Sequence, residues 1–247
     1  MQNPRVPIPE LTTERLRLRG FGDRDRAPFA AMNADSRVME HFPRTLTRAE
    51  SDGFVDRIIS RWARDGHGLW VVESLADGRF LGFTGLVLER VDFPFAPAVE
   101  VGWRYAVDAW GNGYATESAR AAVRFGFEEL ALGEILSWTI PANGPSRRVM
   151  ERIGMAHDPA DDFDHPHHLG NERIRRHVLY RLTRERWAAS AAAELEGADD
   201  TTGSSCRAAV DSNRRCRRAH VNKRFKPAAP VAAVALDAAA GASSATT

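Results

Sequence analysis

Hydrophobic and polar positions alternate along the first 187 residues in two different periods, which predict separate strands and helices. Leu16 and Leu18 alternate with three arginines, the period-2 pattern of a half-buried strand over residues 14–21. A Gly-containing turn at residues 76–79 separates two apolar segments that we predict to form a hairpin. The predicted strands after the first cover residues 68–75, 80–89, 98–106, 135–140 and 177–182.

Apolar residues at helical spacing predict four helices. A capping box at Thr47–Glu50 precedes apolar residues at four-residue spacing and predicts a helix over residues 48–65. An apolar stripe that starts at Ala119 predicts a helix over residues 116–130. Shorter helices are predicted over residues 25–33 and 146–153, with Gly154 ending the latter. The order of elements indicates an α+β fold with a mixed sheet.

The composition changes abruptly after Trp187. All six tryptophans lie between residues 62 and 187, whereas the following 60 residues contain 19 alanines and a single aromatic residue. Such a segment has too few large apolar side chains to form a core. We therefore predict a domain over residues 1–187 and an Ala-rich, partly basic, disordered tail over residues 188–247.

The charge and the cysteines exclude several classes of protein. A formal net charge of +1 gives no bulk attraction to nucleic acid or to an anionic membrane. Seven basic residues between 214 and 226 leave a contact of the tail with nucleic acid or the ribosome open, beside a solvated disordered segment. Cys206 and Cys216 both lie in the tail and support neither a disulfide framework nor a catalytic thiol. Without a signal peptide or a transmembrane run, the sequence predicts a cytoplasmic protein.

The turn Trp110–Ala115 carries the clearest chemical signal. It joins the predicted fourth strand, 98–106, to the helix over 116–130, and its small residues allow close approach of a ligand to the backbone. The free amides of a first helical turn bind anions, and a diphosphate is an anion of suitable size and charge for them. The turn lacks the lysine of nucleotide triphosphatases and the third glycine of dinucleotide-binding folds. A tight turn without a ligand is the alternative.

The same turn resembles the diphosphate loop of the GNAT superfamily, Q/R-x-x-G-x-G/A followed by a helix. Gly113 and Ala115 match this pattern, while Trp110 stands where Gln or Arg is usual. The form Trp-Gly-x-Gly-Tyr-Ala-Thr-Glu is similar to the ribosomal-protein N-acetyltransferase (RimJ/RimL-like) branch. Segments 11–19, 143–154 and 177–182 also recur in the family's order, so the resemblance covers about residues 10–187.

This resemblance implies both a fold and an activity. The fold is a mixed, mostly antiparallel sheet of about seven strands, splayed between the fourth and fifth strands and flanked by about four helices. The activity is transfer of acetyl from acetyl-CoA, without a metal, to a primary amine by direct attack in a ternary complex. The amine belongs to a protein N-terminus, an amino acid or another small molecule. A degenerate acyl-CoA-binding or sensing domain is the alternative, and a homodimer is left open.

The resemblance also implies which residues bind the coenzyme. Main chain of the fourth strand would pair with the pantetheine arm, amides of the turn would hold the diphosphate, and two residues after the fifth strand would approach the arm and thiol. These expected residues are Trp103, Arg104, Tyr105, Gly111, Asn112, Gly113, Tyr114, Ala115, Thr116, Asn143 and Ser146.

Two residues are candidates for catalysis. An ammonium acceptor must lose a proton before it attacks a thioester, and Glu100 lies on the fourth strand beside the implied splay. An exposed strand residue or salt-bridge partner is the alternative for Glu100. Many GNAT enzymes have a tyrosine where this chain has Met150, so Ser146 is the candidate that stabilises the leaving sulfur. Alternatively, Ser146 only caps its helix.

The segment Asp161–His168 is rich in histidine and aspartate. It resembles a metal site in composition, but no pair has the i, i+4 ligand spacing on a predicted helix, and Pro166 indicates a loop. We therefore expect a loop that is solvated or contacts the acceptor. A similar segment lies near the acceptor in the RimJ/RimL-like branch, which makes His165 a second candidate base.

Overall fold

The computed structural model describes residues 8–89 and 93–190, which form one nine-stranded sheet with five α-helices and a further helical segment at residues 184–190. The strands are β1 (Leu11–Thr12), β2 (Leu16–Arg19), β3 (Leu69–Ser74), β4 (Phe80–Glu89), β5 (Ala98–Tyr105), β6 (Glu134–Thr139), β7 (Ala156–His157), β8 (Phe163–Asp164) and β9 (Arg176–Thr183). The helices are α1 (Arg26–Ala34), α2 (Arg48–Asp65), α3 (Tyr114–Glu128), α4 (Gly144–Arg152) and α5 (Glu172–Arg175).

The strands follow the order β1-β2-β3-β4-β5-β6-β9-β7, and β8 pairs with β9. Within the described residues β5 and β6 are the one parallel pair, and a single position, Glu100 opposite Leu136, joins them. By contrast, β4 and β5 pair over eight positions. The α+β fold and the splay between the strands predicted as fourth and fifth are confirmed; these strands are β5 and β6.

The helices cover both faces of the sheet. Phe83 of β4 contacts Phe29 of α1 and Phe54 of α2, with ring centroids 5.8 and 6.2 Å away. Leu86, on the opposite face of the same strand, meets α3, because a Cβ at Gly126 would lie 3.0 Å from its Cδ1. The core is thus divided by the sheet into two layers, and β5 is buried between them.

Local signals position the helix ends. The Thr47 side chain accepts a hydrogen bond from the Glu50 amide, and the Glu50 carboxylate accepts one from the Thr47 amide, so α2 has the predicted bounds. Helix α3 begins at Tyr114, two residues before the prediction, because Gly113 with φ 78° forms its N-cap. Three of the nine strands have only two residues, and the family resemblance had implied about seven strands.

The C-terminal part of the described chain packs on the domain. Residues 184–190 are helical, and the Trp187 ring lies 5.1 Å from that of Phe127. This helix extends three residues past the predicted boundary at 187. The rest of the predicted tail, with Cys206, Cys216 and the basic cluster, lies outside the described residues. No helix within 8–89 or 93–190 is long and apolar enough to cross a membrane.

The prediction from the alternating pattern of the first strand is wrong at one position. Arg19 was placed with the polar residues, yet it is 8% exposed and bonds Asp25 and Glu73, which are also buried. The hydrogen bond to Asp25 raises the pKa of Arg19 despite its burial. The sequence pattern missed this network because its members come from β2, β3 and the turn before α1.

Arg19→Met should destabilise the fold strongly. Removing the cation leaves the buried Asp25 carboxylate without its partner, and such a break costs about 3–5 kcal/mol of the free energy of unfolding. Urea unfolding would measure this loss. Arg17→Met, at a half-exposed position of the same strand, is the matched control and should cost less than about 1 kcal/mol. Equal losses for the two variants would contradict the role given to Arg19.

Candidate active site

The turn between β5 and α3 is shaped by two glycines and braced by its own side chains. Gly111 and Gly113 have φ values of 77° and 78°, a region that other residues adopt with strain. The Trp110 indole donates to the Tyr105 carbonyl at 2.9 Å. The side-chain amide of Asn112 donates to the Trp110 carbonyl, also at 2.9 Å. These bonds satisfy carbonyl groups and use none of the main-chain amides of the turn.

Six consecutive main-chain amides, from residue 111 to residue 116, donate no hydrogen bond to any other described residue. The first intrahelical bond of α3 is donated by the Glu117 amide to the Gly113 carbonyl. Such a run of free N–H groups at the start of a 15-residue helix has a positive electrostatic potential. The turn can therefore bind an anion with several oxygens.

A cavity of about 460 Å³ lies next to these amides. Its walls include Arg148 and Arg152 of α4, which add positive charge near the turn. Ten of the eleven predicted coenzyme residues line it, and Asn112, whose side chain bonds back to the turn, is the exception. The ten are Trp103, Arg104, Tyr105, Gly111, Gly113, Tyr114, Ala115, Thr116, Asn143 and Ser146.

A smaller cavity of about 100 Å³ holds the predicted base. Glu100 lines it and is 5% exposed, so the alternative of an exposed strand residue is wrong. Glu100 is also the position at which β5 pairs with β6, so its side chain lies where the strands begin to diverge. Residues that line both cavities, including Asn143 and Ser146, show that the two cavities are adjacent.

Histidines form one wall of the small cavity. The rings of His168 and His177 lie 4.5 and 4.9 Å from that of His165, and His41 approaches from the loop between α1 and α2. The sequence had singled out His165 but missed His41 and His177, because they lie in a loop without periodicity and in a strand. Within the described part of the chain, no group of three or more ligating side chains is arranged for a metal ion.

The start of α4 lies between the two cavities. The Asn143 side chain caps this helix by accepting from the Ser146 amide at 3.3 Å, so the helix cap is Asn143 and not Ser146. Ser146 lines both cavities. Met150, one turn further along, is buried and lines the small cavity. The seryl hydroxyl is thus the polar group that α4 presents here beside the Asn143 amide.

Tyr105 connects the end of β5 to the start of α3. Its hydroxyl bonds Ser118 and donates to the Tyr114 carbonyl at 3.4 Å. Burial raises the pKa of this hydroxyl well above its ordinary value, so it is neutral at physiological pH. The strand edge and the anion-binding turn are therefore held in a fixed relation.

Two arginines hold a loop over both cavities. The Arg173 guanidinium of α5 donates to the Glu40 and Phe42 carbonyls, each at 2.7 Å, and the Arg104 guanidinium lies 4.1 Å from the centre of the Phe42 ring. His41 and Phe42 line both cavities. Arg173 was missed from the sequence, because its two acceptors are main-chain groups more than 130 positions away.

The family model of the acetyltransferase (GNAT) domain matches residues 15–156, more than half of the chain. The chain belongs to the GNAT acetyltransferase family. It is 32% identical over 194 residues to the FsC-acetyl coenzyme A-N(2)-transacetylase of Aspergillus fumigatus, covering 72% of this chain and 78% of the relative. GNAT domains transfer acetyl from acetyl-CoA, which agrees with the anion-binding turn.

Solved structures share the GNAT fold. An acetyltransferase (GNAT family) from Bacillus anthracis matches with a TM-score of 0.60 and 27% identity, covering 71% of this chain and 99% of that chain. Mycobacterium smegmatis RimJ in complex with CoA-disulfide matches with a TM-score of 0.58 and 22% identity, covering 74% and 89%. The RimJ match agrees with the predicted RimJ/RimL-like branch at the level of the fold.

Arg173→Ala should release the loop of this GNAT domain. Hydrogen bonds from a charged donor are worth about 1.5–3 kcal/mol, less where solvent competes, so we expect amide exchange at residues 40–42 to rise about tenfold. Hydrogen exchange with mass spectrometry would measure this. Arg175→Ala is the control, since Arg175 pairs with Glu172 and Asp164 instead. If both variants exchanged alike, Arg173 would not hold the loop.

Proposed function

We propose that this GNAT protein transfers the acetyl group of acetyl-CoA to a primary amine by direct attack in a ternary complex. The observation that carries the proposal is the run of free amides at residues 111–116 beside one cavity, which shares wall residues with the adjacent cavity that holds Glu100. One cavity offers an anion site and the other a buried base, which are the two requirements of this reaction.

The described residues fit the coenzyme. Amides from Gly111 to Thr116 hold the diphosphate, and Asn143 and Ser146 lie along the path to the small cavity. Because β5 pairs with β6 at one position only, the β5 edge that faces β6 near Trp103 is available to the amide groups of the pantetheine arm, while the Tyr105 carbonyl on that strand already accepts from the Trp110 indole. The bound coenzyme supplies an acetyl thioester as the acyl donor. Among the predicted residues, Asn112 contributes only its main-chain N–H.

Glu100 accepts a proton from the attacking amine. A lysine-type amine has a pKa of about 10.4 and is protonated at neutral pH, so it must lose a proton before or during attack. The amine nitrogen then bonds to the carbonyl carbon, the C–S bond breaks, and the electron pair leaves with sulfur. His165, in the same cavity, is the second candidate for this base, directly or through water.

Two groups stabilise the charges that form. A β5 main-chain amide near the splay donates to the developing oxyanion. The Ser146 hydroxyl donates a hydrogen bond to the leaving sulfur, because the family's tyrosine position is occupied by Met150. Ser146 is free for this role since Asn143 supplies the helix cap.

The acceptor is a primary amine, which belongs to a protein N-terminus, an amino acid or another small molecule. The name of the Aspergillus relative describes acetyl transfer to N(2) of FsC, and an amine nitrogen suits the carboxylate of Glu100. A cytoplasmic location, a homodimer and a tail contact with nucleic acid or the ribosome stay predictions. Thiol release from acetyl-CoA with dipeptides, ribosomal proteins and polyamines would identify the acceptor. Coenzyme binding without release for any amine would favour the sensing domain instead.

Glu100→Gln should lower kcat/KM by about 10²–10⁴, with the largest loss at low pH. At low pH the amine depends on an enzymatic base, whereas at high pH the solvent has already removed its proton, so the deficit narrows as pH rises. The rate profile between pH 6 and 10 measures this, and the Kd for CoA should stay within about twofold. If the loss of kcat/KM did not depend on pH, Glu100 would not be the base. If His165→Gln instead showed the loss at low pH expected of Glu100→Gln, His165 would be the base.

Gly113→Asp should weaken CoA binding by about tenfold or more, because a carboxylate beside the free amides repels the diphosphate. Calorimetry would measure the Kd. Gly113→Asn has nearly the same shape without the charge and separates repulsion from backbone strain. Gly78→Asp, at a turn with a similar φ of 70°, controls for strain elsewhere. Tight CoA binding by Gly113→Asp would contradict the placement of the diphosphate.

A further inference from the structure

A polar network connects the N-terminal hairpin to the first turn of α3. The Glu117 carboxylate accepts from the Thr13 hydroxyl at 2.6 Å, from the Arg15 amide at 3.0 Å and from the Arg15 Nε at 2.8 Å. The Arg15 Nη2 lies 2.6 Å from the same carboxylate. Two segments that the sequence singled out separately, 11–19 and 110–117, therefore meet in one place.

The charge of Glu117 is a problem for an anion site. A carboxylate in the first turn of a helix stabilises that helix, but it competes with any anion that the same amides bind. Glu117 is ionised, because the hydrogen bonds from Thr13 and Arg15 outweigh its partial burial and hold its pKa below the ordinary value. The site thus has a fixed negative charge within one helical turn of the free amides.

The Arg15 guanidinium flanks the turn itself. Its carbon lies 4.9 Å from the centre of the Tyr114 ring, and a Cβ built at Gly113 would be 3.6 Å from its Nη2. Arg15 is not among the residues that line the large cavity, so it acts from behind the turn. Its side chain is 46% exposed, so its ion pair with Glu117 contributes little to the free energy of unfolding.

We propose that Arg15 is a positioning residue that neutralises Glu117, so that the start of α3 stays attractive to the diphosphate of the coenzyme. The inference rests on the proposed diphosphate site. Thr13 and the Arg15 amide orient the carboxylate, and the guanidinium cancels its field. Without the guanidinium, the Glu117 charge would oppose the diphosphate over a distance shorter than the Debye length of about 8 Å.

The test is a charge cycle measured by CoA binding to the full chain at low salt. Arg15→Gln should weaken binding about tenfold, because it exposes the Glu117 charge. Glu117→Gln keeps the hydrogen-bond acceptor but loses the charge, so it should bind CoA about threefold tighter than the unaltered protein. The double variant should return to within about twofold of the unaltered protein. Arg15→Lys keeps the cation and should lose little affinity even if Arg15→Gln folds poorly.

Controls separate this charge effect from structural support. Arg17→Gln, two residues further along the chain on β2, makes the same change in net charge and should leave the Kd unchanged. Pantetheine lacks the diphosphate, so its binding should not respond to any of the variants. The inference is overturned if Glu117→Gln weakens CoA binding as much as Arg15→Gln and the double variant binds CoA equally weakly. The pair would then only connect the two segments structurally. Failure of the unaltered protein to bind CoA would instead reject the proposed function.

Discussion

The divergence of β5 from β6 after one paired position is the constraint on which the rest of the site depends. A continuous ladder would have occupied the β5 edge and closed the space between the strands. Because the strands part at Glu100, there is room for two adjacent cavities, and Glu100 lines the smaller one. The same divergence makes room for α4, whose first turn presents Ser146 to both cavities.

Charge is distributed around this gap in a consistent way. Cations from α4 and the free amides of α3 lie at one end, and Glu100 with the histidine wall lies at the other. An anionic ligand is therefore favoured at the first end, whereas the second end places the Glu100 carboxylate beside the buried cation Arg104. Arg15 and Glu117 belong to the first region and set its net charge.

Features with a local cause were predictable from the sequence. The bounds of α2 followed from its capping box, and the tight turn before α3 followed from two glycines before an amphipathic helix. Features that need distant partners were not. Arg19 is buried only because Asp25 and Glu73 meet it, and Phe42 enters the site only because Arg173 and Arg104 hold it there. Strands of two residues, such as β7, are too short for a period to be visible.

The buried hydroxyl of Tyr105 has a consequence for the energetics of recognition. By bonding both Ser118 and the Tyr114 carbonyl, it makes the strand edge and the helix start into a single rigid surface. A ligand that contacts both parts then meets a receptor that needs no ordering, so little conformational entropy is lost when it docks. The affinity of such a ligand should reflect its direct contacts almost entirely. Its association rate should be limited by diffusion and orientation.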